Sequence, residues 1–223
     1  MEPKAKTLQE RFGFSDPDLK RPEHDEIMVW LDRNILDVAR GLFPASRPAI
    51  EQAESKAREY LTGRIDKLKK KVEDYGVSCE NKIATLSEQL TNWPGLGPPP
   101  PRPVDKVGDK TWERPIKNGS YIIGFIDLYA IYVRPSLRLE YPDTVNGVPA
   151  WEWNTRSYYL HFEIKTEIRS IGELIRQINT YRTYEDCATF VVVSPDDKAK
   201  DILKDQKIRF VKYDPALYLE EKP

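Results

Sequence analysis

The sequence predicts an α/β domain with a central mixed sheet flanked by helices, and three observations carry this prediction. Apolar runs rich in β-branched residues recur in the C-terminal half, as expected for strands. A helical pattern separates the run that ends at Ile164 from the run over 188–194. An earlier segment repeats apolar residues every three or four positions, which predicts a long helical, coiled-coil-like insertion.

Composition limits the classes of protein that this chain can belong to. It has 223 residues, of which 39% are hydrophobic and 32% charged, with a net charge of −1. No run of about 18 apolar residues and no signal-peptide pattern is present, so the sequence predicts a soluble cytoplasmic protein without a membrane partner. Cys79 and Cys187 cannot form a four-thiolate site. The near-neutral charge weighs against a passive nucleic-acid binder more than against an enzyme with a local basic surface.

The first 92 residues are predicted to be an arm followed by helices. Residues 1–46 contain an extended arm and a helix over 25–42, and residues 47–92 repeat apolar residues for about six heptads. One long helix is slightly favoured over a hairpin that turns near Gly76, because the apolar register continues across that glycine. We expect this insertion to form a homodimer, dock a partner or clamp a substrate.

A proline-rich segment over 93–110 then separates the insertion from the α/β core over 111–223. The four prolines Pro98–Pro101 predict a stiff spacer, and a linker is favoured over a motif recognised by proline-binding domains. Asn118-Gly119 predicts a hairpin. The remaining pattern predicts strands over 112–117 and 120–127, a loop-like segment over 134–155, a strand that ends at Lys165, a helix over 170–184, a strand over 188–194, a short helix near 197–205 and a strand over 208–213.

Three charged residues near strand ends are the candidates for chemistry. Glu163 and Lys165 are two apart in a strand, so their side chains share a face, and Asp127 ends an upstream strand. A buried carboxylate beside an ammonium is costly unless something uses or neutralises the two charges. Two acids and a lysine on neighbouring strands are the groups that Mg²⁺-dependent phosphodiester hydrolysis requires. Taken alone, Glu163 and Lys165 are better explained as a surface ion pair, because an acid and a lysine two residues apart occur by chance in many proteins.

The helix after this strand adds a fourth element, because Gln177 and Tyr181 are four apart and share one helical face. The motifs Gly124-Phe125-Ile126-Asp127, Glu163-Ile164-Lys165 and Gln177-Ile178-Asn179-Thr180-Tyr181 resemble those of the PD-(D/E)XK nuclease superfamily, and within it the RecB-like exonucleases, including the CRISPR-associated ones. The resemblance covers roughly 22–42 and 112–213 and implies a restriction-endonuclease-like core. It implies metal ligands at Asp127, Glu163 and the Ile164 carbonyl, a catalytic Lys165, and Gln177 and Tyr181 lining the site or contacting DNA.

The same resemblance implies one more metal ligand, a histidine or glutamate on an N-terminal helix. His24 is the preferred candidate, Glu26 is the runner-up, and His161 is an alternative because it shares the strand face of Glu163. Acidic residues at the start of a helix complement the helix dipole, and this would explain the acids beside His24 without a metal. The cysteines that anchor an iron–sulfur cluster in many RecB-like members are missing here, so no cluster is expected.

Together these expectations describe a Mg²⁺- or Mn²⁺-dependent deoxyribonuclease that acts on single- or double-stranded DNA. The alternative is a catalytically inactive nuclease fold that serves as an adaptor for DNA or protein. The sequence leaves open endonuclease against exonuclease action, polarity, DNA against RNA, and the biological pathway.

Overall fold

The computed structural model describes residues 21–44, 50–93, 95–141 and 148–216. The expected N-terminal arm, apart from Arg21, lies outside these residues. The chain divides into two compact units, the first from Met1–Pro44, Asp105–Arg134 and Ser157–Pro223, the second from Ala45–Val104 and Pro135–Arg156. In the described part, no helix combines the length and the apolar character needed to cross a membrane.

Five strands form one mixed sheet with helices beside it. The elements follow in the order α1 (Pro22–Leu42), α2 (Ile50–Tyr75), α3 (Glu80–Asn92), β1 (Lys106–Asn118), β2 (Tyr121–Glu140), β3 (Ala150–Ile164), α4 (Ile171–Arg182), β4 (Ala188–Ser194), α5 (Lys200–Asp205) and β5 (Arg209–Lys212). The sheet order is β1-β2-β3-β4-β5. The β1–β2 pair is antiparallel, whereas the β3–β4 and β4–β5 pairs are parallel. The expected α/β class is confirmed, and the restriction-endonuclease-like arrangement stays a prediction.

In the first unit, successive apolar side chains of β3 and β4 project from opposite faces of the sheet, so both faces are buried. One face packs against α1 and the other against α4 and α5. The α1 cluster includes Ile27, Leu31, Ile35, Phe162, Ile164, Val191 and Val193. The second cluster includes Leu174, Ile178, Phe190, Val192 and Leu203. The end of β3 therefore lies between two apolar layers, and polar side chains there are removed from water.

Helix α1 begins three residues earlier than the sequence pattern predicts. Pro22 occupies its first position, where the missing N–H costs no hydrogen bond and the fixed φ suits a helix. Glu23 and Asp25 lie in the first turn, where negative charge complements the helix dipole. The earlier start places His24 inside the first turn, with its side chain buried rather than at a frayed end.

Helix α4 is defined by a capping residue and an apolar stripe. The Ser170 hydroxyl accepts a hydrogen bond from the Glu173 N–H at 3.4 Å, which satisfies one of the free donors at the helix start. Leu174, Ile178 and Tyr181 are buried at helical spacing. Gln177 lies between them at the edge of this stripe, so the helix holds it against the sheet.

The second unit contains a helical hairpin rather than one long helix. The chain leaves α2 at Gly76, whose φ is 63°, and α3 begins at Glu80. The two helices pack on each other through a cluster that includes Ala57, Leu61, Ile65, Leu86 and Trp93. The slight preference for one long helix is wrong, because an apolar register that continues across a turn is equally compatible with two helices that cover each other's stripe.

Two neighbouring segments of this unit also differ from expectation. The loop-like segment predicted over 134–155 contains the end of β2 and the start of β3, in which the Arg138 guanidinium contacts the Glu152 carboxylate at 2.7 Å. Proline and polar residues had favoured a loop there. The expected spacer over 93–110 is not a free linker, because it is held by two tryptophans of β3 and its last residues already belong to β1.

Candidate active site at the end of the third strand

Asp127 lies at the centre of a buried polar cluster. The residue is 6% exposed, and its Oδ2 accepts a hydrogen bond from the Ile164 N–H of the neighbouring strand at 2.6 Å. Its Oδ1 lies 3.6 Å from Nε2 of His24. A charge-assisted bond to a backbone N–H holds a carboxylate in one orientation. The contact therefore joins Asp127 of β2 to the residue that separates Glu163 from Lys165.

The side chains of β2 change faces at this position, although the strand register is continuous. Ile126 packs in the cluster beneath α4, whereas Leu128 packs in the cluster beneath α1, although residues two apart in a regular strand share a face. The partner strand pairs Trp112 with Leu128 and Arg114 with Ile126, so Glu113 is the residue opposite Asp127. Glu113 has a φ of 46°, in the left-handed region that non-glycine residues seldom adopt.

Glu163, Lys165 and Gln177 form a contact chain beside Asp127. The Lys165 ammonium lies 2.9 Å from Oε1 of Glu163, and both side chains are largely buried. Gln177 donates from Nε2 to the same Glu163 oxygen at 2.9 Å and to the Tyr181 hydroxyl at 3.0 Å. The helix thus fixes the carboxylate at the end of β3, and the lysine balances its charge at a buried position.

Tyr181 is held against β2 by a close approach to Gly124. A Cβ at Gly124 would lie 2.6 Å from Cε1 of Tyr181 and closer still to its hydroxyl. The glycine therefore leaves the space that the tyrosine ring occupies. Burial, reinforced by the negative charge of Glu163, raises the pKa of Tyr181 to about 12, so its phenol is neutral at physiological pH.

His24 reaches the cluster from the other side of the sheet. Burial lowers the pKa of its imidazole, but the hydrogen bond and the charge of Asp127 outweigh that effect, so the pKa is raised from its usual value. Nδ1 of His24 is buried without a hydrogen-bond partner, and the nearest carboxylate oxygen, of Asp25, is 3.9 Å away. Of the two candidates on α1, the structure brings His24 to Asp127, whereas Glu26 is exposed.

His161, the third candidate, belongs to a separate polar cluster. Its Nε2 lies 3.3 Å from the Arg114 guanidinium and 3.7 Å from the Glu185 carboxylate, and Arg114 also stacks on the Tyr129 ring at 4.1 Å. Burial and the nearby Arg114 charge lower the pKa of His161 to about 4, so the ring is neutral. The sequence analysis overlooked Arg114 and Glu185, since no motif links residues so far apart in the chain.

The donors suit a hard divalent cation, although they do not form a closed cage. Within the described ranges, no group of three or more His, Cys, Asp and Glu side chains is placed to hold a metal ion. Mg²⁺ typically binds to one or two carboxylates and keeps several waters, which requires fewer protein ligands than such a cage. Asp127, Glu163 and the His24 imidazole supply suitable donor types, although the His24 nitrogen without a partner is Nδ1 and the one that faces Asp127 is Nε2. Ile164 takes part through its N–H, and the role of its carbonyl as a ligand stays a prediction.

All the residues singled out by the three motifs meet in this cluster. Gly124 contacts Tyr181, Asp127 contacts Ile164 and His24, and Glu163 contacts Lys165 and Gln177. Comparison with protein-family models, with curated proteins and with solved structures finds no match to this chain. The resemblance of the motifs to those of a nuclease superfamily therefore stays a prediction.

Proposed function

We propose that the chain is a Mg²⁺- or Mn²⁺-dependent nuclease that hydrolyses phosphodiester bonds in DNA. The observation that carries the proposal is the contact chain from β2 through β3 to α4. It joins Asp127, Glu163 and Lys165 in a buried cluster with Gln177 and Tyr181 beside it. Two buried acids next to a lysine are an expensive arrangement for stability alone. They are the groups that metal-assisted phosphoryl chemistry uses.

Each side chain has a definite task in this proposal. Asp127 and Glu163 would hold the divalent cation, which would polarise the phosphate and make a water molecule more acidic. His24 is the proposed extra ligand, and it would have to shift to join them, because the three side chains are not placed to hold one ion. Lys165 positions the attacking water and offsets the negative charge that develops on the phosphate. Gln177 keeps the Glu163 carboxylate in place through its 2.9 Å hydrogen bond, and Tyr181 in turn holds Gln177.

The decisive experiment incubates the purified protein with labelled single- and double-stranded DNA in Mg²⁺, Mn²⁺ or EDTA. We expect cleavage only with a cation, and Lys165→Ala should lower the rate by about 10²-fold or more, the usual loss when a group that stabilises developing negative charge is removed. Lys198→Ala is the matched control, because this lysine is 90% exposed and its carboxylate partner Asp196 lies outside the cluster. Cleavage that persists in EDTA or in Lys165→Ala would contradict the proposal.

A second measurement separates metal binding from catalysis. Mn²⁺ binding, followed by electron paramagnetic resonance, should weaken in Asp127→Asn and remain in Lys165→Ala, because only the first change removes a ligand. An adaptor without catalytic activity would instead bind nucleic acid or protein and cleave neither DNA nor RNA. Lys165→Ala and the wild type would then both show no cleavage.

The expected homodimer through residues 47–92 has less support than the nuclease proposal. The apolar stripe of α2 is buried against α3 within the same chain, with Leu61 and Leu86 fully buried. A dimer through this segment must therefore use its outer, charged faces. Sedimentation at several protein concentrations tests this, because a monomer has a mass of 25.9 kDa.

A further inference from the structure

Strands β1 and β2 change faces together at the ladder step that holds Glu113 and Asp127. In β1, Lys110 forms an ion pair with α1, whereas Arg114 bonds to Glu185, just after the end of α4. Residues an even number apart share a face in a regular strand, so β1 turns over between these two positions. In β2 the same change occurs at Asp127. The register stays continuous over 110–116, so the two strands turn over without losing their pairing.

Glu113 supplies the backbone turn in β1. Its φ is 46°, and among the described residues Lys207, with a φ of 57°, is the other non-glycine residue in the left-handed region. Lys207 follows the end of α5, where a left-handed residue is common. Glu113 lies inside a strand, so no helix end explains its conformation. A left-handed residue with a Cβ is costly and persists only where the surrounding structure imposes it.

The change of faces also explains the direction of the Asp127 side chain. The N–H groups that join neighbouring strands lie in the plane of the sheet, and the Asp127 carboxylate accepts from one of them, that of Ile164, at 2.6 Å. The carboxylate therefore projects along the sheet towards β3 instead of onto one face. In this direction His24 reaches it from the α1 side at 3.6 Å. The N–H that it binds follows Glu163, whose side chain is held from the α4 side.

We propose that Glu113 is a positioning residue for Asp127. Its left-handed backbone turns β1 over in step with β2, so the two strands stay paired while the Asp127 carboxylate lies in the plane of the sheet. One acid is thereby brought within reach of groups on both faces. Metal binding is the one consequence that rests on the proposed function, because the hydrogen bond from Ile164 is measurable without a metal.

Variants at position 113 separate the backbone conformation from the chemistry of the side chain. Glu113→Gly and Glu113→Asn accept a positive φ, whereas Glu113→Val and Glu113→Ala disfavour it, the first more strongly because its Cβ is branched. The readout is the Ile164 amide proton, followed by NMR. Its chemical shift should stay as in the wild type in the first two variants and move upfield in the other two. Its exchange with solvent should then rise by about tenfold, as expected when one hydrogen bond to a charged group is lost.

Lys207→Val is the matched control, because it creates the same backbone conflict at a turn outside the cluster. It should lower the unfolding midpoint, as Glu113→Val does, and leave the Ile164 amide unchanged. Mn²⁺ binding, followed by electron paramagnetic resonance, should weaken by about tenfold or more in Glu113→Val, the usual loss when a residue that orients a ligand is changed. It should be restored in Glu113→Gly. If the wild type itself binds no Mn²⁺, the proposed function fails, and the amide proton still tests the role of Glu113.

Two outcomes would overturn the positioning role. An unchanged Ile164 amide in Glu113→Val and Glu113→Ala would show that Asp127 keeps its direction without a left-handed residue in β1. A changed amide in Glu113→Gly and Glu113→Asn as well would show that the Glu113 carboxylate is required, and not its backbone conformation. Circular dichroism verifies that each variant is folded, and Glu113→Ala decides the result if Glu113→Val does not fold.

Discussion

At the scale of single residues, the meeting of Gly124 and Tyr181 explains why one motif depends on another. The ring of Tyr181 occupies the space that a side chain at Gly124 would need. Because the ring is buried, it has no free space to move into. Through Gln177 the tyrosine is connected to the Glu163 carboxylate. A methyl group added at Gly124 therefore disturbs a residue of β3 that it does not touch.

Gly124→Ala should destabilise the protein by about 1–3 kcal/mol, the usual cost of forcing extra volume into a packed site. Urea denaturation measures the free energy of unfolding. Gly172→Ala is the control, because its Cβ would meet only Arg176 at 3.8 Å, an ordinary contact distance. In a Tyr181→Ala background the effect of Gly124→Ala should shrink, since the clashing ring is gone. An equal loss in both backgrounds would contradict the contact.

Tyr181 should also make stability depend on alkaline pH. Its pKa is raised from 10.0 to about 12 in the folded state, so the fold favours the neutral phenol. The stabilisation is complete below the pKa of the unfolded chain and is lost as pH rises through the folded value. At about pH 11, one unit above the pKa of the unfolded chain, the wild type should have lost about 1.4 kcal/mol more than Tyr181→Phe, at about 1.4 kcal/mol per unit.

Denaturant titrations at about pH 9 and about pH 11 compare the two proteins in this window. Tyr121→Phe is the matched control, because Tyr121 is 77% exposed, so this variant should follow the wild type. If Tyr181→Phe and the wild type lose stability in parallel, ionisation of the Tyr181 phenol is not coupled to folding.

The sequence singles out the residues that meet in the buried cluster, whereas it does not give their contacts. Spacing places Glu163 with Lys165 on one strand face and Gln177 with Tyr181 on one helix face, because these periods are local. The hydrogen bond from Ile164 to Asp127 depends on the register between two strands. The left-handed backbone conformation of Glu113, opposite Asp127, depends on the same register. Register is a property of the folded sheet, so local patterns do not contain it.

At the scale of elements, periodicity predicted the type of most helices and strands. The helix over 170–184 and the strand over 188–194 agree closely with α4 and β4. The errors fall where turn-forming residues compete with strand pairing. Pro135 lies inside β2, whose outer part is joined to β3 by the Arg138–Glu152 contact, so tertiary pairing overrides the local preference for a loop.

Two glycines of the second unit have opposite effects on stability, one in the turn between α2 and α3 and one inside α2. Gly76 has a φ of 63°, which disfavours any side chain, whereas Gly63 lies inside α2 with open space around its Cα. Gly76→Ala should lower stability by about 1 kcal/mol or more. Gly63→Ala should raise it by about 0.5–1 kcal/mol, because alanine is the better helix former. Thermal or urea unfolding measures both. A gain at Gly76 would show that the two helices join into one.

At the scale of the whole molecule, the chain maintains separate apolar cores. Among the described residues, the cluster of the helical hairpin shares no member with the clusters on the two faces of the sheet. The strands β2 and β3 nevertheless run through both units, so the units are connected by continuous backbone. Whether such units unfold together depends on how much of their stability comes from contacts inside each one.

We expect the two units to open separately. Leu86→Ala removes a fully buried side chain of the hairpin and should cost about 2–5 kcal/mol, and Ile178→Ala does the same beneath the sheet. Hydrogen exchange should then rise in α2 and α3 for the first variant and in α4 and β4 for the second, because each cavity weakens only its own core. If Leu86→Ala lowers protection in β4 as much as in α3, the hairpin and the candidate active site form one cooperative unit. The hairpin would then contribute to holding Glu163 and Lys165 in place.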